Sequence, residues 1–450
     1  MRCDRRWFVY LGLIAVGGLA LRIAYVLITK NPRAVGGDSF YYHYGANLLV
    51  DGRGFPDPIQ LLQFHNETPG ATHPPGYILA LAIPSLVRLD TFLDHQIWSC
   101  VIGAGTVFLV GVTGREIAGD RVGLVAAVLA AVYPNVWFYD SVVMSETLIL
   151  FTTTLVILVA YRFAKRPSIR LAIGLGIAVG AAALTRAESI LLIPLLLVPL
   201  ALWLRDVGLR RRLELLAVAT GATLVTIAPW VGYNLLRFEH PVFLSSNLEL
   251  TLLSANCDDT YSGPFLGFWA LRCGTEFVPP KGDASVQARF YRAKVREYVS
   301  DHKGRVPVVV LAREGRAWAF MNAGQQITID QIESKELNTS RIALGMYYSL
   351  LALSVVGVVT LRQRRVPLTP LLAVLGAVVL TVGFVYGTTR FRAPAEIPLV
   401  LLGAAGIDAG IRRLGARTRD PGKARAPAET QASSDPAGVE TRALRILRPS

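Results

Sequence analysis

The residues able to do chemistry fall in a few short polar stretches of an otherwise apolar chain. Asp38 lies in Gly36-Gly37-Asp38-Ser39-Phe40-Tyr41-Tyr42-His43-Tyr44, and His73 precedes Pro74-Pro75-Gly76. Glu146 closes Val142-Val143-Met144-Ser145-Glu146, and Arg186 and Glu188 share Thr185-Arg186-Ala187-Glu188-Ser189. Arg390 and Arg392 sit in Thr388-Thr389-Arg390-Phe391-Arg392. Guanidinium groups are permanently charged and grip phosphate through paired hydrogen bonds. A carboxylate can take the proton of an acceptor hydroxyl. Inverting sugar transfer from a phosphate-linked donor asks for little more. A glycosidase uses a second carboxyl group as acid for a poor leaving group, whereas a phosphate leaves as an anion and needs cations. Each residue also has a plain structural reading. Asp38 suits the N-cap of a helix over 39–50, the aromatics at 40–44 suit a membrane-interface belt, and His73 can end a turn. The remaining charges suit ordinary interfacial polarity.

The chain that must position them has 450 residues, 52% apolar and only 17% charged. Soluble proteins carry about 25% charge, so this composition points to a polytopic membrane protein and excludes a disordered or ordinary cytosolic chain. Apolar stretches of about spanning length lie at 7–29, 95–113, 122–134, 143–161, 170–184, 189–204, 213–235, 342–361, 367–386 and 393–411. The net charge of +14 comes from 46 Lys and Arg against 32 Asp and Glu. With a cytoplasmic N-terminus and a non-crossing, proline-rich 73–89, the basic clusters at 115–121, 162–170, 205–212, 362–365 and 412–413 all become cytoplasmic. That placement satisfies the positive-inside rule and gives about ten crossings with both termini inside. It accounts for the basic balance without nucleic acid. Arg186, Arg390 and Arg392 break the pattern by falling outside with Asp38, His73, Glu146 and Glu188.

The expected organisation is a transmembrane module over 1–236 with a first outer loop at 30–94 holding interfacial helices. A small extracytoplasmic α/β or irregular region follows over 237–341, then C-terminal spans at 342–412 and a disordered cytoplasmic tail at 413–450. Cys257 and Cys273 both fall in the outer region, where an oxidising side permits a disulfide; two free thiols are the alternative. No spacing suits a structural zinc site, and the metal ligand set is none, with a divalent ion left open. Gly174-Leu175-Gly176-Ile177-Ala178-Val179-Gly180 lies inside an apolar stretch and reads as small-residue helix packing, not as a nucleotide loop.

GGDSFYYHYGANLLVDG, THPPGYILAL, VVMSETL, GAAALTRAES and TTRFRAPAEIPL, in that order and spacing, resemble the GT-C glycosyltransferases. The nearest group is the glycosyltransferase family 39 type, which includes protein O-mannosyltransferases and lipid A aminoarabinose transferases. The stretch beginning PWVGYNLLRFEHP resembles an actinobacterial-type subgroup. The resemblance implies an all-α polytopic fold, a polyprenyl-phosphate monosaccharide donor and a glycan, glycolipid or protein acceptor at the outer face of the cytoplasmic membrane. By position it implies Asp38 as catalytic base, Arg390 with Arg392 and Arg186 on the donor phosphate, and His43, His73, Glu146 and Glu188 lining the site. The chain departs from the group in one place, carrying Asp38-Ser39 where an Asp-Glu pair is frequent. The rival reading is a transporter or flippase of a lipid-linked substrate, which would place ionisable residues at mid-membrane on repeated, broken helices. No internal repeat is visible. A scaffold without activity is the third.

Overall fold

A computed structural model describes residues 5–29, 36–204, 206–331 and 335–419; Cys3 and the tail beyond 419 lie outside them. The chain is built of helices: α1 Arg5–Thr29, α2 Gly37–Val50, α3 Pro58–Phe64, α4 Gly76–Ser85, α5 Phe92–Ala118, α6 Asp120–Val132 and α7 Pro134–Trp137. Then follow α8 Glu146–Lys165, α9 Ile169–Thr185, α10 Val198–Trp203, α11 Leu209–Leu235, α12 Leu248–Ser254, α13 Asp258–Tyr261 and α14 Leu271–Thr275. The series ends with α15 Ala284–Asp301, α16 Val306–Ala317, α17 Ala323–Asp330, α18 Leu337–Gln363, α19 Thr369–Phe384 and α20 Ala393–Arg419. The last of these runs past 413, where the tail was expected to begin. By compactness the chain divides after Ala409, and the described part of the second unit, residues 410–419, simply prolongs α20.

Among the described residues six helices are long and apolar enough to cross a membrane: α1, α5, α8, α11, α18 and a stretch from Thr389 to Leu414 that includes most of α20. The segment 120–141 passes the same test only as a bent pair, broken by 74°. The other expected spans are shorter apolar helices: α9, α19, and a run from Ala187 to Trp203. That run is irregular for a reason: Pro194 and Pro199 each lack the N–H of a helical bond, and Ile193–Leu197 widens into a π turn before α10 begins. Helix α4 has ten residues and so is about 15 Å long, half the thickness of a hydrocarbon core.

In the outer region no strand occurs among the described residues, so the α/β expectation is corrected. The region folds as helices α12 to α17, most of them short and α15 the longest with 18 residues; the alternating Leu248-Glu249-Leu250-Thr251-Leu252 is taken up in α12. Cys257 and Cys273 are joined as a disulfide, which ties α13 to α14. Elsewhere the only bridge of strand type among the described residues pairs Pro56 with Pro69 in the first loop.

The core runs through α1, α5, α6, α8, α9, α11, α18, α19 and α20, and small residues set its tightest contacts. A Cβ at Gly176 would lie 2.2 Å from the Ala219 carbonyl oxygen, and one at Gly180 would lie 2.6 Å from Thr226 Cβ. Thr223 Oγ1 donates to the Gly176 carbonyl at 3.0 Å. The glycine-rich stretch is therefore the face on which α9 meets α11. Gly176→Ala should destabilise by about 1–3 kcal/mol, since the neighbouring backbone must give way. Thermal unfolding in detergent reads this; an unfolding temperature equal to wild type would contradict the packing.

Candidate functional site

Five chain breaks supply the site: the starts of α2, α4 and α8, the end of α9 and the turn before α20. Helix α2 opens at Gly37, whose φ of +53° suits glycine. Gly36 takes the N-cap position without a side-chain bond, and Asp38 is the second helical residue. Asp38 is therefore not the N-cap; its carboxylate is directed across the site. Asp38 Oδ1 lies 3.1 Å from His73 Nε2, and Oδ2 lies 2.6 Å from Arg390 Nη2. Burial would push the Asp38 carboxyl up, but the charges and hydrogen bonds of His73 and Arg390 outweigh it and hold it well below the usual carboxylate range.

His73 is fixed by aromatic rings. Tyr42 stacks on it with centroids 5.0 Å apart, and Tyr41 meets it edge-on at 5.2 Å. Tyr41 and Tyr42 are 2% and 1% exposed, so they form the wall of the site and not an interface belt. Gly76 then lets α4 press against the end of α9, since a Cβ there would lie 2.6 Å from the Leu184 carbonyl oxygen.

Glu146 is the first residue of α8 and fully buried. Its Oε1 accepts from Arg186 Nη1 at 2.6 Å and also from Arg390 Nε. Its Oε2 is buried and has no hydrogen-bond partner among the described residues. Arg186, released from helical geometry at the end of α9, also binds Glu188 at 2.7 Å and lies over the Phe391 ring at 5.1 Å. Arg390 sits on the short turn Thr389–Arg392 between α19 and α20 and joins Asp38 to Glu146. The chain Glu188–Arg186–Glu146–Arg390–Asp38–His73 thus alternates acid and base across α2, the start of α4, α8, the end of α9 and the 389–392 turn.

Two expected residues lie elsewhere. Arg392 faces the other way, bonding Glu396 at 2.8 Å and the Ala317 carbonyl at 2.9 Å, with its guanidinium 3.7 Å from the Tyr347 ring. Glu396 in turn accepts from Tyr133 at 2.8 Å. Arg392 is therefore an anchor between α20, α16 and α18, turned away from Arg390. His43 is buried on the far side of α2, 3.0 Å from His95 and edge-on to Phe92. Two residues before a strained bend, Ser141 and Val142 add links that the sequence did not signal: Gln96 Nε2 donates to the Ser141 carbonyl and Ser39 Oγ to the Val142 carbonyl, each at 2.5 Å. Ser39, the residue that departs from the Asp-Glu pattern, thereby ties α2 to the approach of Glu146. Among the described residues no group of three or more His, Cys, Asp or Glu is placed to hold a metal ion.

Burial lowers His43 to about 4, so it is neutral in the fold. An unfolded histidine titrates near 6.5. Between these values the unfolded chain takes a proton that the folded one refuses, so this contribution is intact above about 6.5 and is lost as pH falls towards 4. Unfolding temperatures measured from pH 7.5 to 4.5 should fall more steeply for wild type than for His43→Gln; parallel curves would contradict the burial of a neutral His43.

Residues 72–233 match the family described as Dolichyl-phosphate-mannose-protein mannosyltransferase. No curated protein matches over the chain. The fold is similar to two solved structures of an archaeal oligosaccharyltransferase from Archaeoglobus fulgidus. The first, AglB in complex with an inhibitory peptide and a dolichol-phosphate, is 14% identical with a TM-score of 0.53, covering 95% of this chain and 53% of that one. The second, tethered to an acceptor peptide, is 16% identical with a TM-score of 0.56, covering 94% and 51%. The chain spans about half the length of those structures. The family match is confined to residues 72–233, and the likeness to the archaeal structures is one of fold, in an all-α chain with several helices long and apolar enough to cross a membrane.

Proposed function

We propose that this GT-C chain transfers a monosaccharide from a polyprenyl-phosphate donor to a hydroxyl-bearing acceptor at the extracytoplasmic face, with inversion and with Asp38 as general base. The observation that carries the reading is a partly exposed carboxylate, Asp38, held ionised beside Arg390, which together with Arg186 also reaches the buried Glu146. The acceptor oxygen attacks the anomeric carbon as its proton passes to Asp38. The bond from that carbon to the phosphate oxygen breaks, and its electron pair leaves with the phosphate. Arg390 and Arg186 would hold that phosphate, competing it against the carboxylates they bind. Glu146, behind both guanidiniums, keeps them converged. His73, fixed by Tyr41 and Tyr42, orients Asp38 through its second oxygen. The dolichol-phosphate of the archaeal structure and the mannosyltransferase family match support a lipid-phosphate donor. The charges of the site gather at helix ends, with Arg22 inside α1 the exception, and this favours transfer over transport.

Membranes containing the full chain, supplied with a panel of labelled decaprenyl- and undecaprenyl-phosphate monosaccharides, test this directly. Asp38→Asn should lower transfer by about 10²–10⁴-fold; transfer at the wild-type rate would remove Asp38 as base. The pH dependence has a defined sign. A base held below the usual carboxylate range stays active as pH falls through about 4, and loses activity only further down. Arg390→Gln removes a charge that depresses Asp38, so the acid limb of kcat/KM should move to higher pH. A limb that stays in place or moves down would contradict the pairing. Labelling of Ser262→Cys from outside intact cells tests the orientation; access from the cytoplasm alone would overturn it.

A further inference from the structure

Arg22 is a charged residue well inside α1 and only 1% exposed. Its Nε lies 2.9 Å from Asp140 Oδ2, and the carboxylate is equally buried. Its Nη1 donates to the Gly18 carbonyl at 3.0 Å and the Ala131 carbonyl at 3.4 Å, and its Nη2 to the Ala130 carbonyl at 3.3 Å. These last two are carbonyls at the end of α6, where the chain turns by 74°. The other oxygen of Asp140 accepts from Thr147 Oγ1 at 2.7 Å, and Thr147 is the neighbour of Glu146. On α5, a Cβ at Gly103 would lie 2.1 Å from Asp140 Oδ2, so only glycine lets the carboxylate sit there.

The segment pinned in this way is strained. Val143, β-branched and fully buried, has φ +55°, a region that such residues avoid. Strain of this kind persists only where the surroundings over-determine it. Here the surroundings are Asp140 before the bend, Thr147 after it, and the Gln96 and Ser39 bonds to the carbonyls of Ser141 and Val142. Stability alone does not call for such a device, because a buried ion pair can usually be exchanged for apolar side chains of like volume without loss.

We propose that Asp140, held by Arg22, is a positioning residue: with Ser39 it clamps the strained bend at Val143 so that Glu146 stands where it gathers Arg186 and Arg390 beside Asp38. The inference rests on the transferase reading of that site. It assigns a role to Arg22, a charge inside a spanning helix that a transport pathway would otherwise claim.

The test uses the full chain, wild type against Asp140→Asn, the pair Arg22→Met/Asp140→Leu, and Thr147→Val. Transfer from the labelled donors gives kcat and KM, and thermal unfolding is followed in parallel. Asp140→Asn leaves Arg22 buried without its counter-charge, so a failure to fold there is expected and the other two variants decide. The pair variant should unfold near the wild-type temperature yet lose about 10–100-fold in kcat, the size of effect that slight misplacement of a reacting group produces. Thr147→Val, which removes the hydroxyl that Asp140 holds across the bend, should keep its fold and also lose kcat. Recovery of kcat together with folding in the pair variant overturns the proposal, as does a rise in KM at unchanged kcat. If the pair variant also fails to fold, Thr147→Val alone decides: lowered kcat supports the clamp and wild-type kcat overturns it. If the wild type transfers none of the labelled sugars, the transferase reading falls, and the clamp is read from modification of Asp38 by a water-soluble carbodiimide. Faster modification in Thr147→Val than in wild type supports it, since Arg390 would no longer be held over Asp38; equal rates overturn it.

Discussion

A carboxylate sealed from water cannot remain charged unless cations are brought to it, and Glu146 is sealed completely. Everything around the site answers that requirement. Arg186 leaves the end of α9 and Arg390 leaves the turn before α20 to reach the same oxygen. The desolvation cost of three buried charges is offset only because they meet with short, charge-assisted bonds. Once those two guanidiniums converge, Arg390 has one nitrogen left within reach of Asp38. The start of α2 is thereby tied to the turn before α20. Loss of Glu146 would scatter both arginines, whereas loss of Asp38 would leave them in place.

Much of this was legible in the residue types. Six of the eight residues singled out on charge and placement converge on one another: Asp38, His73, Glu146, Arg186, Glu188 and Arg390. They could be found because ionisable groups near apolar helix ends are rare and need partners. Arg392 and His43 were not separable from them by sequence, since the side on which a residue faces depends on the local turn. The 389–392 turn is a 3₁₀ turn, so residues two apart project to different faces. Glu396, four residues after Arg392, was the available sign that this arginine had a private partner.

The bend before α8 was hidden for a different reason. Val142, Val143 and Met144 continue an apolar run and read as the first turn of a spanning helix. Only tertiary bonds to Asp140, Ser141 and Val142 hold them out of it. The outer region was expected to be α/β or irregular because, α15 apart, its helices are too short to show a period of their own. The bundle itself was easier. Small residues at 176 and 180 signalled a close helix contact, and that contact is the one α9 makes with α11.

The hydroxyl of Ser39 gives the Asp38-Ser39 dipeptide a meaning that its departure from the Asp-Glu pattern did not suggest. It is a donor aimed at a backbone carbonyl, in a buried position 6% exposed. An ionised glutamate there has only acceptors to offer and would set its charge against that carbonyl. The more frequent dipeptide therefore could not be restored in this chain by a single replacement; position 39 and the 142 carbonyl would have to change together. Beside Asp38, position 39 brings no charge of its own and serves as a fastener between α2 and the bend before α8.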